Sequence, residues 1–195
     1  MSDRSARVGN WSQTFTGLQF WPCDPRREDV RVEDIAHALA LQCRFAGHCR
    51  VPYSVAEHSV RVAEWVWDET SGDRRASLAA LLHDASEAYC VDVPRPLKPY
   101  LTGYREIEHG VMHVIEAWAG LPIGACERLV IKRADEVLLM TEARDLMGPA
   151  PAPWTFAQGA RAVPLRETIA PWGWRRAEAA FLEKFAALRG VDRGR

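Results

Sequence analysis

Histidine, aspartate and glutamate crowd together in the stretch Leu81-Leu82-His83-Asp84-Ala85-Ser86-Glu87, inside a run of helix formers and small apolar residues that belong in a core. Buried charge is costly unless it is paired or bound to a metal, so this segment requires compensation. A second histidine, His58, shares a helical face with Val55, Val62 and Trp65 and should also point inward. Downstream, Asp135 falls in an apolar stripe with Ile131, Leu138 and Leu139, where a carboxylate needs a partner. Taken singly, each has an ordinary structural explanation as a hydrogen-bonded core histidine or a rim carboxylate. Taken together, His58, His83, Asp84 and Asp135 offer nitrogen and oxygen ligands of the kind that suit one divalent cation (Mn, Co, Zn, Fe or Mg). Such a set leaves positions open for water and substrate, which is the makeup of a catalytic rather than a closed structural site. Glu87, one turn past His83, is placed to carry a proton.

The elements that must position these groups read as helices. Asp34 opens a helical segment in which Ile35, Leu39 and Phe45 recur on one face, ending at Gly47. Ser54 followed by Glu57 forms a capping box for a helix to about Thr70. Asp73 caps a further helix that should run through Tyr89, placing His83, Asp84 and Glu87 on one face with Ala76 and Ala80, until Pro94, Pro96 and Pro99 end the helical backbone. Helices over about 104–119 and 123–146 follow, and Trp174, Ala177, Phe181, Phe185 and Leu188 make the apolar stripe of a closing helix. The opening Trp11–Pro25 stretch alternates aromatic and polar residues around Gly17, a short hairpin or extended strap. The whole is an all-α helical bundle in a single domain over 1–195, with an N-terminal strap at 1–31 and a proline-rich loop at 148–173 that serves as a lid, an oligomer contact or a surface strap.

Composition narrows the partners. With 25 Lys plus Arg against 26 Asp plus Glu, the chain has no basic field for nucleic acid. It carries no apolar run able to cross a bilayer and no apolar leader after Met1, so it reads as cytoplasmic with no membrane partner. Cys23, Cys43, Cys49, Cys90 and Cys126 are scattered and never paired as CxxC, so they read as reduced packing residues.

The order His58, His83-Asp84, Asp135 resembles the H…HD…D signature of the HD-domain metal-dependent phosphohydrolases, and Ala56-Glu57-His58-Ser59 with Leu81-Leu82-His83-Asp84 strengthens the likeness. The nearer likeness is to the bacterial 5'-deoxynucleotidases and phage deoxynucleoside triphosphohydrolases. That branch has an arginine beside an aromatic residue ahead of the first histidine (here Arg44-Phe45), a glutamate one turn past the HD pair (Glu87) and an Asp-x-Pro-x-Pro segment (Asp92 to Pro96). The resemblance implies an HD-domain fold, hydrolysis of a phosphate ester of a deoxynucleotide, a contact from Asp92 to the sugar or to the travelling proton, and a homo-oligomer. On that reading the guanidinium fork of Arg44 holds phosphate, Phe45 stacks on a base or sits at the rim, and Arg95 and Lys98 meet further phosphates or solvent. His109 and His113, four apart, would serve a two-metal phosphodiesterase or di-iron oxygenase instead. A non-catalytic nucleotide sensor is the third reading.

Overall fold

The computed structural model describes residues 7–152, 154 and 162–190. The fold is all-α. Its helices are α1 (Val32–Leu41), α2 (Val55–Glu69), α3 (Arg74–Leu81), α4 (Glu87–Cys90), α5 (Tyr104–Ala119), α6 (Ala125–Leu146) and α7 (Trp174–Arg189). The N-terminal strap is a hairpin, β1 (Ser12–Gln13) antiparallel to β2 (Gln19–Phe20). It is fastened to the bundle because the buried Asp34 in the first turn of α1 accepts hydrogen bonds from Thr16 N (2.7 Å) and Thr16 Oγ1 (2.9 Å).

Helix α2 lies at the centre, packed on α1, α3, α6 and α7. Its apolar face is buried through Val55, Val62 and Val66, each worth roughly 1.5–3 kcal/mol when removed from water. His58 rides on the same face. The N-terminal caps form as the sequence implies. Ser54 Oγ accepts from Glu57 N at 3.1 Å, and Asp73 Oδ1 accepts from Arg75 N and Ala76 N. The reciprocal half of the capping box does not form, because the Glu57 carboxylate instead accepts from Arg61 and from Trp172 N.

Two helices stop earlier than the sequence pattern implies, and both stops shape the site. Helix α1 ends at Leu41 rather than Gly47. Gln42 and Cys43 turn extended, Cys43 bridges to Ser54, and Arg44 N donates to Tyr53 O at 2.9 Å. Pairing with the entry to α2 thus overrides helix propensity. Arg44 and Phe45 therefore stand on a tight loop, with Phe45 (φ 56°) and Ala46 (φ 50°) in the left-handed region. Helix α3 ends at Leu81 rather than running through Tyr89. In a continuing helix Ala80 O would accept from Asp84 N, but it is engaged by His83 N (3.4 Å) and by His83 Nδ1 (2.7 Å). Residues 82–86 consequently form tight turns, and the single helical face expected for His83, Asp84 and Glu87 is not there.

Other expectations meet smaller corrections. Trp174 begins α7 at 39% exposure, outside the core formed by Ala177, Phe181, Phe185 and Leu188. Cys23, Cys43 and Cys126 are exposed, so packing accounts only for Cys49 and Cys90. The 148–173 loop lies partly outside the described residues. Its returning part is a surface strap, with Leu165 N on Thr141 Oγ1, Ile169 N on Asp145 Oδ2 and Trp172 N on Glu57 Oε2. Among the described residues no helix is long and apolar enough to cross a membrane.

Candidate metal centre

The buried face of α2 carries His58, the turn after α3 carries His83 and Asp84, and α6 brings Asp135 against them. His58, His83 and Asp84 each offer one ligand atom within 4.8 Å of the others, a group that could hold a metal ion. Asp135 joins through Oδ1, 3.4 Å from His58 Nε2. His83 Nε2 stands 3.2 Å from Asp84 Oδ2.

The two imidazoles are oriented by their other nitrogens. His58 Nδ1 donates to Glu142 Oε1 at 2.6 Å, and His83 Nδ1 donates to Ala80 O at 2.7 Å. With Nδ1–H committed in both rings, Nε2 is left as the ligand atom, and a carboxylate or carbonyl on the far nitrogen is the usual support of a metal-binding histidine. Both Nε2 atoms are buried without a hydrogen-bond partner among the described residues, close to carboxylate oxygens but not in bonding geometry with them. Buried polar atoms are rarely left this way. The donor set of neutral nitrogen and carboxylate oxygen fits a divalent cation.

Charge in the centre is finely opposed. Burial alone would raise Asp84, but His83, His58 and Arg44 hold it well below the usual carboxylate range. Burial is likewise outweighed at Asp135, where His58 keeps the carboxyl down to about 2. Burial and Arg44 press His58 toward the neutral form, yet Glu142 and Asp135 lift it to about 9. A cation at Nε2 would therefore have to displace a proton there, with Nδ1–H still donated to Glu142. Glu87 behaves in the opposite sense. Its burial, with Asp84 and Asp92 nearby, pushes its carboxyl up to about 10, so it keeps its proton near neutrality.

Every cation singled out in the sequence borders this centre. Arg44 Nη1 is 3.6 Å from Asp84 Oδ2 and Nη2 is 3.9 Å from Asp135 Oδ1. Arg95 Nη2 is 3.5 Å from Asp135 Oδ2, and Lys98 Nζ reaches Glu108 Oε1 at 2.7 Å and Glu87 Oε1 at 3.9 Å. Asp92 is half-buried and feels Arg44, Asp84 and Lys98. Phe45 sits at the rim, 5.6 Å from the Arg44 guanidinium and 6.4 Å from the ring of Trp154.

The two histidines of the two-metal alternative do not join. His109 and His113 lie on the exposed face of α5, and no group of potential ligands among the described residues includes them. His37 stacks on Phe15 and pairs with Glu178, away from the centre.

This chain is 36% identical over 176 residues to YfdR, an uncharacterized protein of Escherichia coli K12, a match that covers 90% of this chain and 94% of that protein. The chain belongs to the YfdR family. A second relative, the uncharacterized protein RCAP_rcc00048 of Rhodobacter capsulatus, is 36% identical over 144 residues, covering 71% of this chain and 74% of its own. No family model matches the chain.

Two residues of this site carry no mark in the sequence reading above. Glu142 is fully buried and accepts from His58 Nδ1 and from Arg44 Nε at 3.0 Å. It lies two turns beyond Asp135 on the same face of α6, so the argument that singled out Asp135 applied equally to it. Gln42, at the end of α1, donates from Nε2 to Glu87 O and accepts at Oε1 from Asp92 N, both at 3.0 Å. It bridges segments that only the fold brings together, so no spacing signal pointed to it.

Proposed function

We propose that this protein is an HD-type metal-dependent phosphohydrolase acting on a deoxynucleotide. The observation that carries the reading is the pair of buried Nε2 atoms, each with its partner nitrogen committed, converging on the oxygens of Asp84 and Asp135. His58, His83, Asp84 and Asp135 would hold one divalent cation. Such a cation lowers the pKa of water and stabilises charge developing on a phosphoryl oxygen. Arg44 offers its fork to the phosphoryl group that is attacked. Glu87, kept protonated by burial and by Asp84 and Asp92, gives its proton to the departing sugar oxygen as the phosphorus–oxygen bond breaks and water adds to phosphorus. Asp92 stands beside Glu87 on the Asp-x-Pro-x-Pro segment, where it meets the sugar or returns the proton.

Arg95, though its side chain is 57% exposed, reaches to 3.5 Å from Asp135, and Lys98 lies 3.9 Å from Glu87; two cations bordering the centre favour a triphosphate over a monophosphate, since outer phosphates bring charge that needs cations. Products from dATP and dAMP, resolved with Mn2+ or Co2+ present, test the proposal. Deoxyadenosine plus tripolyphosphate from dATP is expected. Phosphate released from dAMP with dATP untouched would overturn the triphosphate reading. No hydrolysis of either nucleotide with any metal would leave a nucleotide sensor.

A further inference from the structure

Glu142 contributes one oxygen to each of two partners with different tasks. Its Oε1 accepts a hydrogen bond from His58 Nδ1 at 2.6 Å, its Oε2 accepts one from Arg44 Nε at 3.0 Å, and its side chain is fully buried. His58 presents Nε2 toward Asp84 and Asp135. Arg44 presents Nη1 and Nη2 toward the same two oxygens, Asp84 Oδ2 and Asp135 Oδ1. Imidazole and guanidinium thus share one pair of carboxylate oxygens and one orienting carboxylate.

We infer that Glu142 is a positioning residue that couples cation binding to anion binding at this centre. A cation held by Asp84 and Asp135 would draw their oxygens away from Nη1 and Nη2. Arg44 does not swing off into solvent, because its Nε is fastened to Glu142. Its fork is therefore released in place, facing the same space, and binds a tetrahedral oxyanion such as the phosphoryl group of a substrate. An anion on the fork, in turn, withdraws the guanidinium from the aspartates and leaves them to the cation. The coupling is reciprocal by linkage. Both effects need the two oxygens of Glu142 at once, one to keep His58 from turning and one to keep Arg44 from leaving. The inference rests on His58 as a cation ligand and on Arg44 as the anion's partner, and it does not depend on turnover.

Glu142→Gln isolates the effect, because an amide has one acceptor oxygen and presents donors on its nitrogen. It serves His58 or Arg44, never both. Mn2+ is titrated into each protein with and without inorganic sulfate, a tetrahedral anion that binds free Mn2+ weakly, and unbound Mn2+ is read by electron paramagnetic resonance. In the wild type, sulfate should tighten Mn2+ binding by at least about fivefold, the lower end of ordinary coupling. In Glu142→Gln, Mn2+ affinity should fall about 10–100-fold, as when a histidine ligand loses its orienting partner, and the sulfate effect should shrink toward none. Arg44→Lys keeps a charge and leaves the His58–Glu142 bond intact. Its Mn2+ affinity without sulfate should fall less than that of Glu142→Gln, yet it too should lose the sulfate effect, which keeps the test decisive if Glu142→Gln fails to fold. An undiminished sulfate effect in either variant, or none in the wild type, overturns the coupling while leaving the metal site standing. A wild-type protein that binds no Mn2+ overturns both.

Discussion

His58 and His83 offer the same atom to the same space, yet the chain holds them by different means. His58 stands in the first turn of a long helix, fully buried, with its second nitrogen on a carboxylate that is itself buried on α6. His83 stands in a turn, with its side chain 13% exposed and its second nitrogen on the carbonyl of Ala80 in the preceding turn. The first wall of the centre, α2 against α6, is regular helix whose polar groups are embedded in the core. The second, residues 82–98, is a succession of turns around the one-turn α4, held by short local backbone bonds and by side chains such as those of His83, Gln42 and Tyr104. Ligand placement and fold stability therefore share residues in the first wall, whereas in the second wall the chemistry can be altered without dismantling the core.

Removing each imidazole is the severest test of that contrast. His58→Ala should abolish measurable Mn2+ binding and also destabilise the fold by about 3 kcal/mol or more, because a buried carboxylate loses a partner and the core gains a cavity. His83→Ala should weaken Mn2+ binding as severely but lower the melting temperature less, since Ala80 O keeps its bond from the residue-83 backbone N–H and the partly exposed Asp84, though it loses His83, keeps Arg44 and His58 beside it. Calorimetry and Mn2+ titration on both variants check this. Equal losses of stability would show that the two walls are not built differently.

The same contrast decides what could be read in advance. The first wall is legible because its residues obey a helical period: His58 follows from Val55 and Val62, Asp135 from Ile131 and Leu138, and Glu142 lies on that same stripe two turns further. The second wall was legible in composition and not in geometry. His83, Asp84 and Glu87 were found as residue types, but the helix on which they were placed stops at Leu81, since the His83 ring takes the carbonyl that the next helical bond needs. Arg44 is picked out by the resemblance and by no period, since α1 has already ended at Leu41. Side chains that compete with the backbone for its own hydrogen bonds leave no periodic trace.

Within the second wall, Glu87→Gln should separate chemistry from stability. Turnover should fall by at least about a hundredfold, the usual scale of a lost general acid, while Mn2+ affinity stays near that of the wild type. The stability effect has the opposite sign. The unfolded chain loses the Glu87 proton near the ordinary 4.5, whereas the folded chain keeps it to about 10, so between those values the folded state binds the extra proton and wild-type stability falls as pH rises. Glu87→Gln removes that dependence. In EDTA its advantage over the wild type should grow from pH 5 toward pH 9, as read by urea unfolding. A variant that is equally stable relative to wild type across that range would mean that Glu87 is ionised in the fold.

The smallest expected effect concerns the link from Glu87 to Asp92. Between them Val91 adopts φ 68° and ψ 147°, a conformation that β-branched residues avoid and that costs on the order of 1–3 kcal/mol. Three hydrogen bonds hold it there: Val91 N on Glu87 O at 2.9 Å, Tyr104 Oη on Val91 O at 2.9 Å, and Asp92 N on Gln42 Oε1 at 3.0 Å. Each such bond contributes about 0.5–1.5 kcal/mol net, so losing the Gln42 amide leaves the strained turn nearly balanced against a relaxed one in which Asp92 points elsewhere. Gln42→Ala should accordingly lower kcat about tenfold, the scale of a 1.4 kcal/mol change, without weakening Mn2+ binding. Glycine takes positive φ without penalty, and the Val91 side chain is 60% exposed, so its removal opens no cavity. Adding Val91→Gly to Gln42→Ala should therefore restore most of the lost kcat. If the double variant is no faster than Gln42→Ala alone, the amide acts on Glu87 and not through the turn that aims Asp92.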